Sequence, residues 1–395
     1  MAFSGNGTGV DFENAFEITT LAELREINDY LDDSSNTAGN HDVHFKLMND
    51  LDATFATQNE SGDYYNGGAG WNGLGNGAFV DNQFFGHLHF NGFKIIGLKI
   101  NRDEVRIGLF QYFFGTAYDV WMEDVDIVNA SDDSGAFAGR IESPEGKGVF
   151  GWQVSGSVSG PAFVGGLFGS SHTGATGIVR DGINYASLTN TGDHIGGACG
   201  RLIASGGLKI DKCIGIGSIT TGNSFRAGKV VGRVASSEDV TNCFGLDDDV
   251  GSGQSDPTTI ITQSALRNIE TYTNLATEGL DEAYDMVLKS AFDGGQAWAI
   301  DDGVSYPEPG FTLDAVSLPA GNFKINGDNK EGATVLLIQA DNKEFLNMTV
   351  LDTLATDASG DWVYEGESYD PAKELGVLID YVEGGERWSR FKWAE

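Results

Sequence analysis

The stretch that decides the fold is Gly165-Gly166-Leu167-Phe168-Gly169, where a glycine follows a short apolar pair. The same pattern recurs at Phe137-Ala138-Gly139, Ala198-Cys199-Gly200 and Val230-Val231-Gly232. From Gly139 onward the closing glycines follow one another at steps of 30, 31 and 32. One unit earlier, Leu109-Phe110-Gln111 fits the pattern with glutamine in the place of glycine. A fixed period of about 31 residues indicates a repeat architecture.

A second column of residues repeats with the same period. Apolar residues recur at steps of 31, 30, 31 and 31, each preceded by a polar residue: Asp126-Ile127, Ser157-Val158, Ser187-Leu188, Ser218-Ile219 and Asp249-Val250. An apolar position beside a polar one is typical of a strand with one buried face. One turn cannot bury its own apolar face, whereas stacked turns bury a continuous core. The sequence therefore predicts an all-β chain whose residues 44–255 form a right-handed parallel β-helix with short capping helices.

A third column lies six residues before the apolar one, and its even spacing places it on the inward face. It contains Trp121, Trp152, Gly182, Cys213 and Phe244. We expect Trp121 and Trp152 to form an aromatic ladder in the core, and an exposed platform for a sugar is the alternative. The three cysteines, Cys199, Cys213 and Cys243, have no metal-ligand spacing, so we expect them to be core thiols.

The composition favours some classes of function over others. The chain has 395 residues, with 58 acidic and 24 basic side chains and a net charge of −34. Nucleic acid and anionic lipid attract basic surfaces, so neither is expected as a partner. No apolar run approaches the roughly 20 residues that span a bilayer, and the first residues lack the pattern of a secretory signal. The charge suits the surface of a soluble particle and is also consistent with a saline habitat.

The repeat resembles the GLUG-type β-helix repeat, which reads G-G-L-[VF]-G and then I-x-N-C-Y-A-x-G-x-V. Residues 165–169 and 241–244 match these two parts, and similar flanking segments lie at 17–24, 45–52, 71–75, 85–92 and 297–307. His89-Phe90 stands where that pattern has Phe-Asp, so the usual acidic residue is missing. The resemblance covers about residues 5–310. It implies a fold that occurs in viral tail proteins and bacterial surface adhesins.

The remaining segments complete the predicted domain organisation. Residues 1–43 are expected to form an N-terminal cap with a short helix, and residues 256–310 a helical closing segment and linker. Helical patterning surrounds Leu266 and Tyr272 and resumes between Tyr284 and Leu288. Alternating strands predict a β-sandwich over residues 311–395. Residues 355–362 resemble prealbumin-like and carboxypeptidase-regulatory-like modules, and residues 388–393 are expected to be an edge strand or a docking surface.

Candidate catalytic carboxylates are numerous in so acidic a chain, and we interpret them as a solvated face. They are Glu123, Asp124, Asp126, Asp132, Asp133, Asp247, Asp248 and Asp249. Glycoside hydrolysis requires two carboxyl groups about 5–9.5 Å apart, and any Asp-x-Asp on a strand meets this by chance. Residues 247–249 lack a calcium-loop pattern, and His87-x-His89 lacks a third metal ligand. No catalytic residue, metal or cofactor is therefore predicted.

The segment most typical of binding is the loop from Thr54 to Gly70, which contains Tyr64 and Tyr65 and leads into Trp71. Loops inserted on one edge of a solenoid often carry binding sites. Clustered tyrosine with asparagine and glycine suits contacts with carbohydrate or protein. Tyr64, Tyr65 and Trp71 are therefore predicted to bind a ligand. Packing of the loop on a neighbouring subunit or rung is the alternative.

These features predict a virion surface protein of the tail fibre or tailspike type, located on the virion outside the cell. It would act as a rigid scaffold for attachment to the host surface without catalysis. The missing export signal favours this, because virions assemble inside the cell. Expected partners are other virion proteins and a host glycan or protein receptor, and a homo-oligomer, a trimer by analogy, is expected. A cellular surface adhesin and a polysaccharide depolymerase of the β-helix type are the alternatives.

Overall fold

The computed structural model describes residues 3–32, 43–75, 84–203, 207–222, 226–234, 239–246, 258–277, 279–284, 286–288, 298–300 and 305–309, together with six C-terminal strands. The chain divides into two compact units, residues 1–284 and residues 285–395. The first unit is a β-solenoid of about seven turns built from parallel sheets. The prediction of an all-β chain with a parallel β-helix is therefore confirmed.

Three sheets run along the solenoid and are called here the long, second and third sheets. The long sheet consists of Phe16–Ile18, His44–Leu47, Leu51–Asp52, His87–His89, Ile95–Ile96, Lys99–Arg102, Thr116–Asn129, Gly148–Gly160, Ile178–Asn184, Ser187–Asn190, Lys209–Gly215, Ile219–Thr221, Val240–Thr241, Phe244–Leu246 and Thr259–Ile261. The second sheet consists of Arg106–Ile107, Asp133–Ser134, Phe163–Gly165, His194–Gly196 and Arg226–Gly228. The third sheet consists of Phe110–Phe113, Ala138–Ile141, Phe168–Ser171, Cys199–Arg201 and Val231–Arg233.

The sequence repeat is the strand register of these sheets. The second residue of each apolar pair aligns with its counterpart in the next turn of the third sheet, in the order Phe110, Ala138, Phe168, Cys199 and Val231. The second column aligns in the long sheet as Ile127, Val158, Leu188 and Ile219. Val250 lies outside the described residues. Like residues thus lie over like residues, and the apolar face becomes continuous from turn to turn.

The repeat glycines allow the third sheet to pack tightly on the second. A Cβ atom on Gly169 would lie 2.5 Å from the backbone nitrogen of Ser134, and one on Gly200 would lie 2.6 Å from that of Val164. Gly139 and Gly232 meet the second sheet in the same way. No side chain fits at these separations, so the period of the repeat is a steric requirement of the corner.

The strands of the long sheet bend at one position in each turn. The bend residue has a positive φ at Asp119, Gly151, Asp181, Lys212 and Asn242, with values between 51° and 71°. Such left-handed residues interrupt the alternation of side chains between the two faces of a strand. The face on which a side chain lies therefore cannot be inferred by counting residues across the bend. The strand Thr116–Asn129 also contains an extra residue near Asp124, since its register with the next turn shifts between Val154 and Gly156.

The predicted Trp121–Trp152 ladder is wrong for this reason. Trp152 is buried beside Val120 and Gly182, and a Cβ on Gly182 would overlap its indole ring. Trp121 instead aligns with Gln153 and is partly exposed, with the ammonium of Lys94 5.3 Å from its ring centroid. A slip of one residue moves a side chain to the opposite face of a strand.

Phe244 is displaced by the same kind of slip. It aligns with Ile214 rather than with Cys213, and its ring packs against Tyr272 and Tyr284. The residues of the inward column that remain buried in register are therefore Trp152, Gly182 and Cys213. The cysteines behave as expected, because all three are free and buried.

Helical segments flank the solenoid. The N-terminal helix Leu21–Asp32 begins with a capping box, in which the Thr20 hydroxyl accepts a hydrogen bond from the Glu23 backbone N–H and the Glu23 carboxylate accepts one from that of Thr20. The closing segment contains two short helices, Gln263–Leu266 and Glu270–Thr273. The predicted continuation of helix around residues 284–288 is wrong. Met286–Leu288 is a strand paired with Trp298–Ile300, because an edge for pairing overrides a weak helical pattern.

The second unit begins with the small sheet Met286–Leu288, Trp298–Ile300 and Glu308–Pro309. Two antiparallel sheets follow. One pairs Phe323–Asp328 with Asp361–Gly366, and the other has the order Thr349–Ala355, Thr334–Ala340, Glu374–Glu383 and Glu386–Trp393. The aromatic C-terminal stretch thus forms the edge strand of a sheet among the described strands. A β-sandwich made of these two sheets stays a prediction.

Candidate functional site

The predicted binding loop is compactly folded. It contains the helix Thr54–Gln58 and a short 3-10 helix, Asn66–Gly68. The Tyr64 backbone N–H donates to the Ala56 carbonyl at 2.9 Å, and the Asn66 side-chain amide donates to the Gly70 carbonyl at 2.8 Å. The loop therefore has a defined shape to present to a ligand, which lowers the entropy cost of binding.

The three residues predicted to bind occupy different environments. Trp71 is fully buried, and its ring meets Tyr64 edge to face at 5.0 Å and the Arg25 guanidinium at 5.7 Å. Tyr64 is half-buried, and this burial raises the pKa of its hydroxyl. Tyr65 is also half-buried. A ligand at this loop would therefore touch the tyrosines, with Trp71 supporting them from the core. Ligand binding here stays a prediction.

The candidate carboxylates of the strand Thr116–Asn129 do not form an open pair. Glu123 lies 3.4 Å from the Lys94 ammonium, and Asp126 lies 3.7 Å from that of Lys99. Asp124 is the left-handed residue beside the bulge. The two paired acids are thus engaged by lysines from the preceding turn. Residues 247–249 lie outside the described part of the chain.

Asp133 differs from these acids because it is completely buried. Its carboxylate lies 2.6 Å from Arg140 and 3.3 Å from Arg106. Burial raises the pKa of Asp133 to about 6, while the two guanidinium groups oppose this increase. A carboxylate bound between two arginines is unsuited to attack or protonate a substrate, so we interpret it as an internal ion pair.

Histidines form a cluster that the sequence only partly revealed. His87 and His89 lie on the same strand, and His44 on the neighbouring strand supplies a third ring. The His44 and His87 rings stack with centroids 4.2 Å apart, and His44 Nδ1 lies 3.1 Å from His89 Nε2. Burial, followed by the charges of the other two histidines, lowers the pKa of His89 to about 3. Within the described ranges, no group of three or more His, Cys, Asp or Glu side chains is arranged to hold a metal ion.

An aromatic column continues from this cluster along the outer face of the long sheet. His89, Tyr118 and Phe150 are in register, with ring centroids 4.6 and 5.6 Å apart and nearly parallel planes. The Arg180 guanidinium covers the last ring at 5.2 Å, and Phe12 packs beside His89 at 4.7 Å. Because each ring covers the face of the next, the column presents mainly ring edges to a ligand.

Sequence reasoning missed this column although a signal was present. Aromatic or imidazole rings recur at positions 89, 118 and 150, with steps of 29 and 32. These steps straddle the period of the repeat. The column was not apparent because its two steps differ by three residues, so a count at one fixed period does not reveal it.

The part of the chain that the structure describes contains no helix with the length and hydrophobicity needed to span a lipid bilayer. No family model matches the chain, so the likeness to the GLUG-type repeat stays a prediction. A segment of 170 residues, 43% of the chain, is 30% identical to "Halomucin" from Haloquadratum walsbyi. A segment of 107 residues, 27% of the chain, is 36% identical to a "Putative Gly-rich membrane protein" from Evansella cellulosilytica.

These similarities are local. The matched segments span 2% of the first relative and 10% of the second. A crystal structure described as a "putative immunoglobulin A1 protease" from Bacteroides ovatus superposes with a TM-score of 0.47 at 16% identity, over 68% of this chain and 89% of that one. The chain is therefore similar, over a minor part of their length, to two much longer proteins from different organisms.

Proposed function

We propose that this chain is a section of a rigid, non-catalytic scaffold that is displayed on a biological surface and attaches to glycans or proteins. The observation that carries the proposal is the in-register stacking of about seven turns on one continuous core. Such a solenoid holds outward residues at fixed intervals of about 4.8 Å. Repeated weak contacts along it gain by avidity.

Two outward features supply the proposed contacts. The loop with Tyr64 and Tyr65 offers half-buried aromatic rings on a fixed backbone. The column of His89, Tyr118 and Phe150 offers a row of ring edges. Rigid aromatic side chains are well suited to binding because they lose little conformational entropy. Glu123 and Asp126 are held by lysines, so the proposal assigns them no catalytic role.

The surface that carries the scaffold is a virion or a cell. In the first case the chain serves as a tail fibre or tailspike that binds other virion proteins and a host receptor. It then forms a homo-oligomer, which is a trimer by analogy. In the second case it is an adhesin of a cell. The cellular sources of the two relatives, one of them named a membrane protein, favour the adhesin.

Immunogold labelling with antibodies to this chain separates the two carriers. We expect gold on the outer surface of intact cells if the chain is an adhesin, and on the tails of purified virions if it is a fibre. Labelling confined to the cell interior, with none on either surface, would contradict surface display in both forms.

A binding assay tests the attachment role directly. The labelled full chain is applied to cells and to a glycan array, alongside Tyr64→Ala/Tyr65→Ala and a matched control, Leu275→Ala. Leu275 is 62% exposed and lies in the closing segment, away from the loop in sequence. We expect the double variant to bind at least about tenfold more weakly, which corresponds to roughly 1.4 kcal/mol. Equal binding by all three proteins would remove the loop from the proposal.

A further inference from the structure

A further feature lies where the second and third sheets meet. It is a double row of aligned residues, called here the arginine row. The strands of the second sheet contribute Arg106, Asp133, Phe163, His194 and Arg226 in successive turns. The third sheet contributes Tyr112, Arg140, Ser170, Arg201 and Arg233. Five of the 24 basic residues of a chain with a net charge of −34 are arginines of this row.

The first half of the row holds a carboxylate of its own. Asp133 lies between Arg140, at 2.6 Å, and Arg106, at 3.3 Å. The Arg106 guanidinium also lies over the Tyr112 ring at 4.4 Å, and Arg140 Nε donates to the Ser170 hydroxyl at 3.1 Å. Both guanidinium groups therefore share one carboxylate and are fixed in place by these contacts. This half shows that the row can bind a carboxylate between arginines of adjacent strands and turns.

In the second half, histidine takes the place of that carboxylate. His194 is aligned two turns after Asp133, and Arg226 Nη1 lies 3.0 Å from its Nε2 atom. Arg201 lies over the Phe163 ring at 4.9 Å, and its Nε atom is buried without a hydrogen-bond partner. Arg233 is aligned with Arg201 in the next turn. Burial and then the charges of Arg226 and Arg201 lower the pKa of Arg233, against the opposing charge of Asp193.

In the described ranges, these three guanidinium groups have no buried carboxylate between them of the kind that Asp133 provides in the first half. Among the residues that the structure describes, Arg201, Arg226 and Arg233 form no ion pair with Asp or Glu. One carboxylate lies beside them, that of Asp193, which is 54% exposed and 2.9 Å from His194 Nδ1. The fork geometry of a guanidinium group matches carboxylate and sulfate oxygens. The slot that Asp133 fills in the first half is filled in the second by His194, which supplies no negative charge, so the guanidinium groups around it remain available to an external anion.

We propose that Arg201, Arg226 and Arg233 form a binding site for acidic glycans, which they recognise through carboxylate or sulfate groups. Successive turns of the third sheet place Arg201 and Arg233 about 4.8 Å apart, and Arg226 lies on the neighbouring second sheet. The site therefore suits a linear chain that carries repeated anionic groups. Phe163 adds an apolar surface beside the guanidinium groups, as carbohydrate sites commonly do. The strongly negative remainder of the chain repels long polyanions such as nucleic acid, which favours a short segment of glycan.

The proposal shares with the display scaffold only the choice of a glycan as ligand. Its test is therefore carried out on purified full-length protein, without cells or virions. Titration calorimetry at about 0.1 M NaCl, where the screening length is about 10 Å, uses three glycan probes: a hexamer of galacturonate, a sulfated hexasaccharide and neutral maltohexaose. A single-stranded oligonucleotide of equal charge is the fourth probe.

The variants are Arg201→Gln/Arg233→Gln, His194→Asp and the control Lys209→Gln, an exposed cationic residue on the long sheet. We expect wild type and Lys209→Gln to bind an acidic hexasaccharide and to ignore maltohexaose. The double variant should bind at least about a hundredfold more weakly, since each charge-assisted pair contributes roughly a factor of ten. His194→Asp should also lose binding, because an internal carboxylate then occupies the slot as Asp133 does.

Carboxylated and sulfated probes distinguish the two sources of the anion, and binding of either one supports the site. Absence of binding to both, or equal binding by wild type and the double variant, would overturn it. Binding of the oligonucleotide as tight as that of the hexasaccharides would also overturn it, since the site would then be a general polyanion patch. Thermal unfolding of each variant shows whether a loss reflects misfolding. His194→Asp keeps the test decisive if the double variant is unstable, because it removes no arginine.

Discussion

The two halves of the arginine row share a backbone but use it differently. In both, a residue of the second sheet lies between arginines. The repeat glycines Gly139 and Gly200 allow the third sheet to pack closely on the second, because they have no side chain. Asp133 makes the first half a closed ion-pair cluster. His194 supplies no such negative charge to the open second half, where Arg226 Nη1 lies 3.0 Å from its Nε2 atom. One side chain thus decides whether the same scaffold position stabilises the fold or is available for binding.

The largest effect is expected at the closed half. Asp133→Ala leaves Arg106 and Arg140 partly buried without their carboxylate, and we expect it to lower the free energy of unfolding by about 3–5 kcal/mol. Denaturant unfolding measures this loss. Arg201→Gln, in the open half, is the matched control and should change stability little. Similar losses for the two variants would contradict the contrast between the halves.

The close packing at the repeat glycines is expected to exclude an added side chain equally in both halves of the arginine row. Gly139→Ala and Gly200→Ala each place a Cβ atom within 2.6–2.7 Å of the second sheet. Overpacking of this kind costs about 1–3 kcal/mol. Gly222→Ala is the control, because the nearest atoms to its added Cβ lie at 3.4 Å. If the thermal midpoint drops for only one of the two corner variants, the halves do not share one geometry.

A smaller, pH-dependent effect is expected from His194. Burial and the nearby arginines lower its pKa to about 4, despite the opposing charge of Asp193, against about 6.5 in the unfolded chain. The unfolded state therefore binds the proton first, so the stability contributed above pH 6.5 is lost as the pH falls towards 4. The stability difference between wild type and His194→Gln should shrink over this window by roughly 1 kcal/mol per pH unit at most. A difference independent of pH would mean that this histidine is not held neutral.

The smallest effect concerns repulsion within the open half. Arg201→Gln removes one of three neighbouring positive charges, so we expect a gain in stability of up to about 0.5 kcal/mol at low salt. Near 1 M NaCl the screening length falls to about 3 Å and the gain should disappear. Unfolding at two salt concentrations measures it. Destabilisation at low salt would show that Arg201 is fixed by a favourable contact.

Part of this architecture could be read from the sequence, because steric rules act on every turn alike. The glycines at 139, 169, 200 and 232 predicted the period, and the column from Ile127 to Ile219 predicted a buried face. The arginine row also left a signal that sequence reasoning missed. Arginine follows the repeat glycine at 140, 201 and 233.

Other features could not be predicted because they depend on single-residue slips. The extra residue near Asp124 placed Trp121 outside while Trp152 stayed in the core. A similar offset moved Phe244 towards Tyr272. The loop residues Tyr64 and Tyr65 were identified from composition, but the burial of Trp71 beneath them was not. Periodicity reports an average spacing, whereas the strand face on which a side chain lies depends on the exact number of residues between two positions.

The sequence by itself determined that this chain is a stacked coil, since glycine at a fixed period is compatible with few other structures. Only the tertiary structure decided which charges meet. Asp133 lies roughly one repeat after Arg106 in the sequence, and Arg226 lies roughly one repeat after His194. Both pairs become neighbours because parallel strands place successive turns side by side. The different chemistry of the two pairs follows from these contacts between successive turns, which no local sequence pattern specifies.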